Sequence, residues 1–236
     1  MKITEKDCER KNGILTYSGD LETDYLTIDM SEILYWEGSM NINGSLEVKD
    51  SLMISGSMNI NRSLDIGGRL DVEGSLIVDE NLDVGDSLKV VKSVNIGGWA
   101  DVREHLSVGE SLNVEISLIV GSRLWVGNSM KVAHDLKVGG PLYIGRSLDI
   151  GCWPFVIGPL SVVESLTIGG TKTSYLIMIY CLNWVIWIME NHIKIGCQCH
   201  TRREWSKFSD NQIDAMDEYA LQFWKKNKDW ILAIKQ

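Results

Sequence analysis

From residue 38 to residue 169 the chain places apolar and polar residues on a strict period of six. Written in sixes without a gap, it opens GSMNIN, GSLEVK, DSLMIS, GSMNIN and closes RSLDIG, CWPFVI, GPLSVV, ESLTIG. All 22 hexads carry Val or Ile at position 5, and 19 carry Leu or Met at position 3, the exceptions being Val94, Ala100 and Pro154. Position 2 is Ser in 13 of them, and Gly is common at positions 6 and 1. Residues two apart on a strand point to the same side, so positions 3 and 5 share a face. The β-branched residue at position 5 favours an extended backbone, and Gly and Ser supply the bends between strands.

A short strand, a corner and a fixed repeat predict one side of a β-solenoid. Three hexads close a coil of 18 residues, so the GSMNIN copies at 38–43 and 56–61 are expected to lie one above the other. Each coil advances about 4.8 Å, which gives a rod of roughly 35 Å with an interior of Leu, Val and Ile. The expected fold class is an all-β triangular β-solenoid with a small α+β C-terminal cap module. A barrel or sandwich would need turns at roughly 8–12 residues rather than an unbroken six.

The same pattern extends backwards, because Ile28, Met30, Leu34 and Trp36 fall at positions 3 and 5 of two further sixes. The predicted boundaries are a polar N-terminal cap over 1–25, a solenoid over 26–169 and the C-terminal module over 170–236. Caps are expected because each open end of a solenoid presents a row of unpaired strand groups.

In the module, the apolar run Tyr175–Met189 predicts two buried strands. It is shorter than the ~20 residues of a membrane helix, and Asn183 interrupts it. Thr201 with Glu204 and Ser209 with Gln212 fit capping boxes that open helices. Ile213, Met216, Ala220, Phe223, Trp224, Trp230, Ile231 and Ile234 then recur at helical spacing, as a stripe packed on the two strands.

These residues carry a resemblance. The GSLxV-type solenoid, followed by Ile195-Gly196-Cys197, His200-Thr201, Trp205, Phe208 and the Ala220–Trp224 stretch, resembles a group of phage and prophage proteins. The resemblance implies a phage origin and no particular chemistry. The solenoid is also similar to bactofilins, bacterial scaffold proteins that polymerise end to end, although bactofilins lack a tail of this kind.

Charge narrows the partners. The net charge is −9, which disfavours a nonspecific grip on a nucleic-acid backbone. Residues 1–37 carry 9 acids and 4 bases, residues 38–169 carry 16 and 10, and residues 170–236 carry 7 and 9. Five cysteines, Cys8, Cys152, Cys181, Cys197 and Cys199, form no framework spacing and read as reduced thiols. The opening MKITEKDCERKNG has no apolar h-region, so the expected location is the cytoplasm, that of the host cell for a phage protein.

No catalytic constellation stands out. Hexapeptide-repeat acyltransferases also use a triangular β-helix, but they interrupt the repeat with a loop beside a His. Here residues 38–169 run uninterrupted, and His105 and His134 fall near corners without an acidic partner at a telling spacing. Cys197, Cys199 and His200 form C-x-C-H, half of what a zinc site needs, and a Cys197–His200 nucleophile and base would lack an orienting third residue. No glycine-rich phosphate loop precedes a helix. The expectation is therefore no enzyme, no cofactor and no metal, with an enzyme using Cys197 and His200 as the alternative.

Position 4 lies between the two inward residues and points out. Every third hexad shares a side, which gives three columns. The first contains Asn41, Asn59, Asn95 and Asn113, an amide ladder. The second opens with Glu47, Asp65, Asp83 and Asp101 and continues through Ile119, Lys137 and Phe155. The third includes Trp125 and Tyr143, and Trp153 adds an aromatic near a corner. Like charges on neighbouring strands cost stability, and the carboxylates read either as a solvated acidic stripe or as a surface that captures a basic partner, such as the nucleic-acid-binding groove of a host protein. Ile119, Trp125, Tyr143, Trp153 and Phe155 read either as a patch that the C-terminal module covers or as an oligomer or partner interface. The expected function is protein binding that inhibits a host defence complex, by a homo-oligomer with no direct contact to nucleic acid or membrane. The alternative is a structural protein, either a polymer-forming scaffold or a virion part.

Overall fold

The computed structural model describes residues 2–3, 7–11, 14–19, 21–29, 33–152, 154–174, 176–179 and 184–234. The chain divides into two compact units, Met1–Lys172 and Thr173–Gln236.

The first unit is a β-solenoid of about eight coils whose short strands stack into three parallel sheets, the faces of a triangular coil. The register follows the hexads. Met58, Asn59 and Ile60 lie beside Met40, Asn41 and Ile42, so the two GSMNIN copies stack as predicted. Position 3 and position 5 side chains are buried throughout the regular coils, with every position 4 residue between them facing out. Leu160 and Val162 are only half-buried, as the last strand of the third face has no following rung to cover it.

Position 2 has a role beyond bending. Its hydroxyl accepts a hydrogen bond from the backbone N–H one coil later: Ser57 N to Ser39 Oγ at 3.2 Å, Arg69 N to Ser51 Oγ at 2.9 Å, Ser75 N to Ser57 Oγ at 3.1 Å. Asn81 Oδ1 does the same for Trp99 N and His105 Nδ1 for Arg123 N. The corner leaves that amide outside the sheet ladder, and a short acceptor side chain satisfies it. Gly at position 6 answers a different demand. A Cβ on Gly145 would overlap the carbonyl oxygen of Gly127 below it, because successive corners stack in direct backbone contact.

The stacking begins before residue 26, so residues 1–25 are more than a polar cap. Lys2–Ile3, Ile14–Ser18 and Leu21–Thr23 join the three sheets as parallel rungs, and Glu9–Lys11 folds back antiparallel on Ile14–Ser18. The register of the second face is also corrected there. Leu26 pairs with Leu46 and Ile28 with Val48, so the inward pair is Leu26 and Ile28, not Ile28 and Met30. Leu26 and Leu34 are eight residues apart rather than six, which hid these rungs from a strict repeat. Met30 itself lies outside the described residues. Trp36 takes the position that Val or Ile holds in every hexad from 38 to 169. Its ring stacks on Tyr17 at 4.3 Å and its Nε1–H donates to Gly19 O at 2.9 Å, so a large aromatic fills the first coils.

The second unit is a four-stranded antiparallel sheet, Leu176–Ile179, Ile186–Met189, His192–Ile195 and Gln198–Thr201, followed by helices α1 (Arg202–Lys207), α2 (Asp210–Asp214) and α3 (Ala220–Ala233). The apolar run therefore forms two strands as predicted, the first half-buried and the second buried; Tyr175 and residues 180–183 lie outside the described set. Gly196 adopts φ +58 in the turn before the last strand, a left-handed conformation that glycine accepts without steric cost. Both capping boxes are present, at Thr201 with Glu204 and at Ser209 with Gln212. The core joins Ile186, Ile188, Ile193 and Ile195 to Trp205, Ile213, Phe223, Trp224 and Ile231. The helical stripe is not continuous. The chain turns over 215–219, and Trp230 faces out at 37% exposure with its Nε1–H on Asn227 Oδ1 at 3.0 Å. Among the described residues no helix is long and apolar enough to cross a membrane.

Candidate interaction surface

The second face carries the acidic column in register. Glu47 lies beside Asp65, Asp65 beside Asp83, and Asp83 beside Asp101. Parallel rungs are about 4.8 Å apart, so four carboxylates follow one another at that spacing. Among the described residues none of the four forms an ion pair or accepts a hydrogen bond; the acid–base pairs are elsewhere, Arg69 with Asp71 and Lys49 with Asp29 for example. Partial burial raises the pKa of Asp65, helped by Asp83 and Glu47 and opposed by Arg103. Asp101 is raised by the same burial and by Asp83, against Arg103 and Lys137. Both shifts mean that the folded chain holds these charges at a cost.

The asparagine ladder of the first face does the opposite. Asn59 Nδ2 donates to Asn41 Oδ1 at 3.2 Å, and Asn113 Nδ2 to Asn95 Oδ1 at 2.9 Å. An amide carries donor and acceptor together, so identical rungs satisfy each other; a carboxylate carries only acceptors, so identical rungs repel.

The apolar half of the predicted site is spread over two faces. Ile119, Lys137 and Phe155 follow one another on the second, with Ile119 at 42% and Phe155 at 37% exposure. Trp125 and Tyr143 are adjacent on the third, at 43% and 38%. Trp153 lies outside the described residues. Among the described residues, five exposed large apolar side chains of the hexads lie off the position 4 columns: Ile116 at position 1, Trp99 at position 2, and Val91, Ile157 and Val163 at position 6. Position 4 alone was counted as outward, whereas the wide corners also project their side chains.

In the C-x-C-H segment Cys197 is exposed, and its Sγ accepts from Gln198 Nε2 at 3.8 Å. Cys199 and His200 are consecutive on the strand Gln198–Thr201 and therefore point to opposite sides. His200 packs edge-on against Trp205 at 5.4 Å and Phe208 at 4.9 Å, with Nε2 3.3 Å from Gln198 Oε1. The Cys199 residue is exposed, yet local burial of its thiol raises the pKa, with Glu204 adding to the rise and Lys194 opposing it. A raised thiol pKa disfavours the nucleophilic thiolate. Among the described residues no group of three or more His, Cys, Asp or Glu is placed to hold a metal ion, and Cys152, Cys197 and Cys199 are free thiols.

Neither a protein-family model, nor a curated protein sequence, nor a solved structure matches this chain.

Proposed function

We propose that the protein is a rigid binding rod that captures a basic protein partner, and that for a phage-type chain the partner is a component of a host defence complex, which the rod inhibits. The observation that carries this reading is the in-register run Glu47, Asp65, Asp83 and Asp101, unpaired among the described residues. Asparagine at the same rungs would satisfy itself, as it does on the first face, so the carboxylates stand where stability alone would not put them. The exposed Trp125 and Tyr143, on the third face in the coils after Asp101, supply apolar anchors. Basic and apolar groups on the partner would meet both.

The test is expression of the chain in bacteria that restrict an incoming phage. The chain is expected to restore plaque formation, and the variant Asp65→Asn/Asp83→Asn/Asp101→Asn to lose that effect while unfolding at a higher temperature than the parent. Undiminished restoration by the triple variant overturns the role of the acidic column. Mass that grows without limit on light scattering of the purified chain, through stacking of solenoid ends, replaces the reading with a polymer-forming scaffold.

A further inference from the structure

We propose that the C-terminal module binds a methylated ammonium group at the mouth of the cavity walled by Trp184, Trp205, Phe223 and Trp224, with the Asp217 carboxylate at its rim. This site is independent of the solenoid's acidic column. The cavity lies between the sheet and the break in the helical path at 215–219, where the chain leaves α2 and brings Met216 and Asp217 to the opening.

The walls are fixed by contacts of their own. The Trp205 Nε1–H is already committed to Ile193 O at 2.8 Å, and its ring lies 5.0 Å from that of Trp224. Trp184 and Phe223 meet edge-on at 4.9 Å. Gly196 allows this, as a Cβ there would stand 3.2 Å from Trp184 Cδ1. The result is a small pocket of four aromatic rings, three of them indoles.

Its electrostatics have one sign. Among the described residues no Lys, Arg or His lines the cavity, and Asp217 is the one charged group that does. Asp217 Oδ1 accepts from Tyr219 N at 3.1 Å, and no base pairs with this carboxylate among the described residues. Aromatic faces are electron-rich, indole most of all, and a nearby carboxylate adds to the same field. An anion is repelled there, and a neutral alkyl group gains only burial. A plain ammonium gives up strong hydration to enter. A methylated ammonium is weakly hydrated, presents methyl surface to the rings and keeps its positive charge.

The cavity encloses about 60 Å³ and opens at Met216 and Asp217, so a trimethylammonium group, as bulky as benzene, would seat at that mouth against the rings rather than be enclosed. The head group could come from a free quaternary amine such as choline or from a methylated lysine on a protein, and the chemistry recognised is the same.

The experiment is calorimetric titration of the full chain, with tryptophan fluorescence as a second readout. The probes are tetramethylammonium, choline, a trimethyllysine peptide with its unmethylated twin, and 3,3-dimethylbutan-1-ol, the neutral counterpart of choline. Choline is expected to bind about tenfold or more tightly than the neutral alcohol. Asp217→Asn is expected to weaken the cations about three- to tenfold and leave the alcohol unchanged. Asp217 is exposed, so this variant keeps the fold even if Trp184→Ala does not. Binding of the trimethyllysine peptide well above choline assigns the source to a protein; equal binding assigns it to a free amine. Three results overturn the proposal: no response to any cation up to about 10 mM, equal binding of the neutral alcohol, or cation affinity unchanged in Asp217→Asn.

Discussion

Asp83→Asn should make the solenoid more stable. Asp83 sits between Asp65 and Asp101 on the second face, so its charge faces a carboxylate on each side. A like-charged pair directly opposite on neighbouring strands costs roughly 0.2–1 kcal/mol. Coulomb's law gives the same scale, since unit charges about 5 Å apart repel by about 0.8 kcal/mol at the dielectric constant of water. Removing the middle charge deletes both pairs, while the flanking carboxylates lie two rungs apart and interact less. The expected gain is about 1 kcal/mol, a rise in melting temperature of about 2–4 °C for a chain of this length. An Asn at 83 also brings an amide that can donate to a neighbouring carboxylate, as Asn59 donates to Asn41, which acts in the same direction. The assay is thermal unfolding followed by circular dichroism at low salt and near 1 M salt, where screening over about 3 Å shrinks the gain. The pH dependence carries a sign. Asp65 and Asp101 have folded pKa values above the ordinary 3.8, so the stabilisation from their protonated forms is full below that value and is lost as pH rises through the folded values. The advantage of Asp83→Asn is therefore present at neutral pH, fades as the pH falls through the raised folded values of Asp65 and Asp101, and is gone below 3.8. An unchanged or lower melting temperature at neutral pH and low salt would refute the premise that the column is repulsive.

Two further outcomes test the module. Trp205→Phe removes the donor to Ile193 O in a buried site and should cost about 1–3 kcal/mol in denaturant unfolding. Thr201→Ala removes the capping box of α1 and should cost about 0.5–2 kcal/mol, read as faster amide exchange across residues 202–207.

The solenoid was legible because its core is one-dimensional. Burial at positions 3 and 5, a β-branched residue at 5 and an acceptor at 2 repeat with the chain, so spacing alone specifies the neighbours of Asn59 or Asp83. Reading failed where rungs depart from a spacing of six and at the corners. Leu26 and Ile28 were misaligned because nothing in their own sequence reports the extra residues before Leu34. Val91, Trp99, Ile116, Ile157 and Val163 were missed as surface because a corner's direction depends on how the rung below it turns.

The module divides differently. The two strands of its apolar run, both capping boxes and its aromatic stripe are local patterns that the sequence determined, whereas the strands His192–Ile195 and Gln198–Thr201 were not among those expected. The interruption at 215–219, the outward turn of Trp230, the placement of Cys199 and His200 on opposite sides of one strand, and the meeting of Trp184, Trp205, Trp224 and Asp217 around one cavity were decided only by the tertiary structure. The physical reason is range. Periodicity fixes which face of an element is apolar, whereas the convergence of residues from a sheet and two helices depends on how those faces close on one another, and no single segment carries that information.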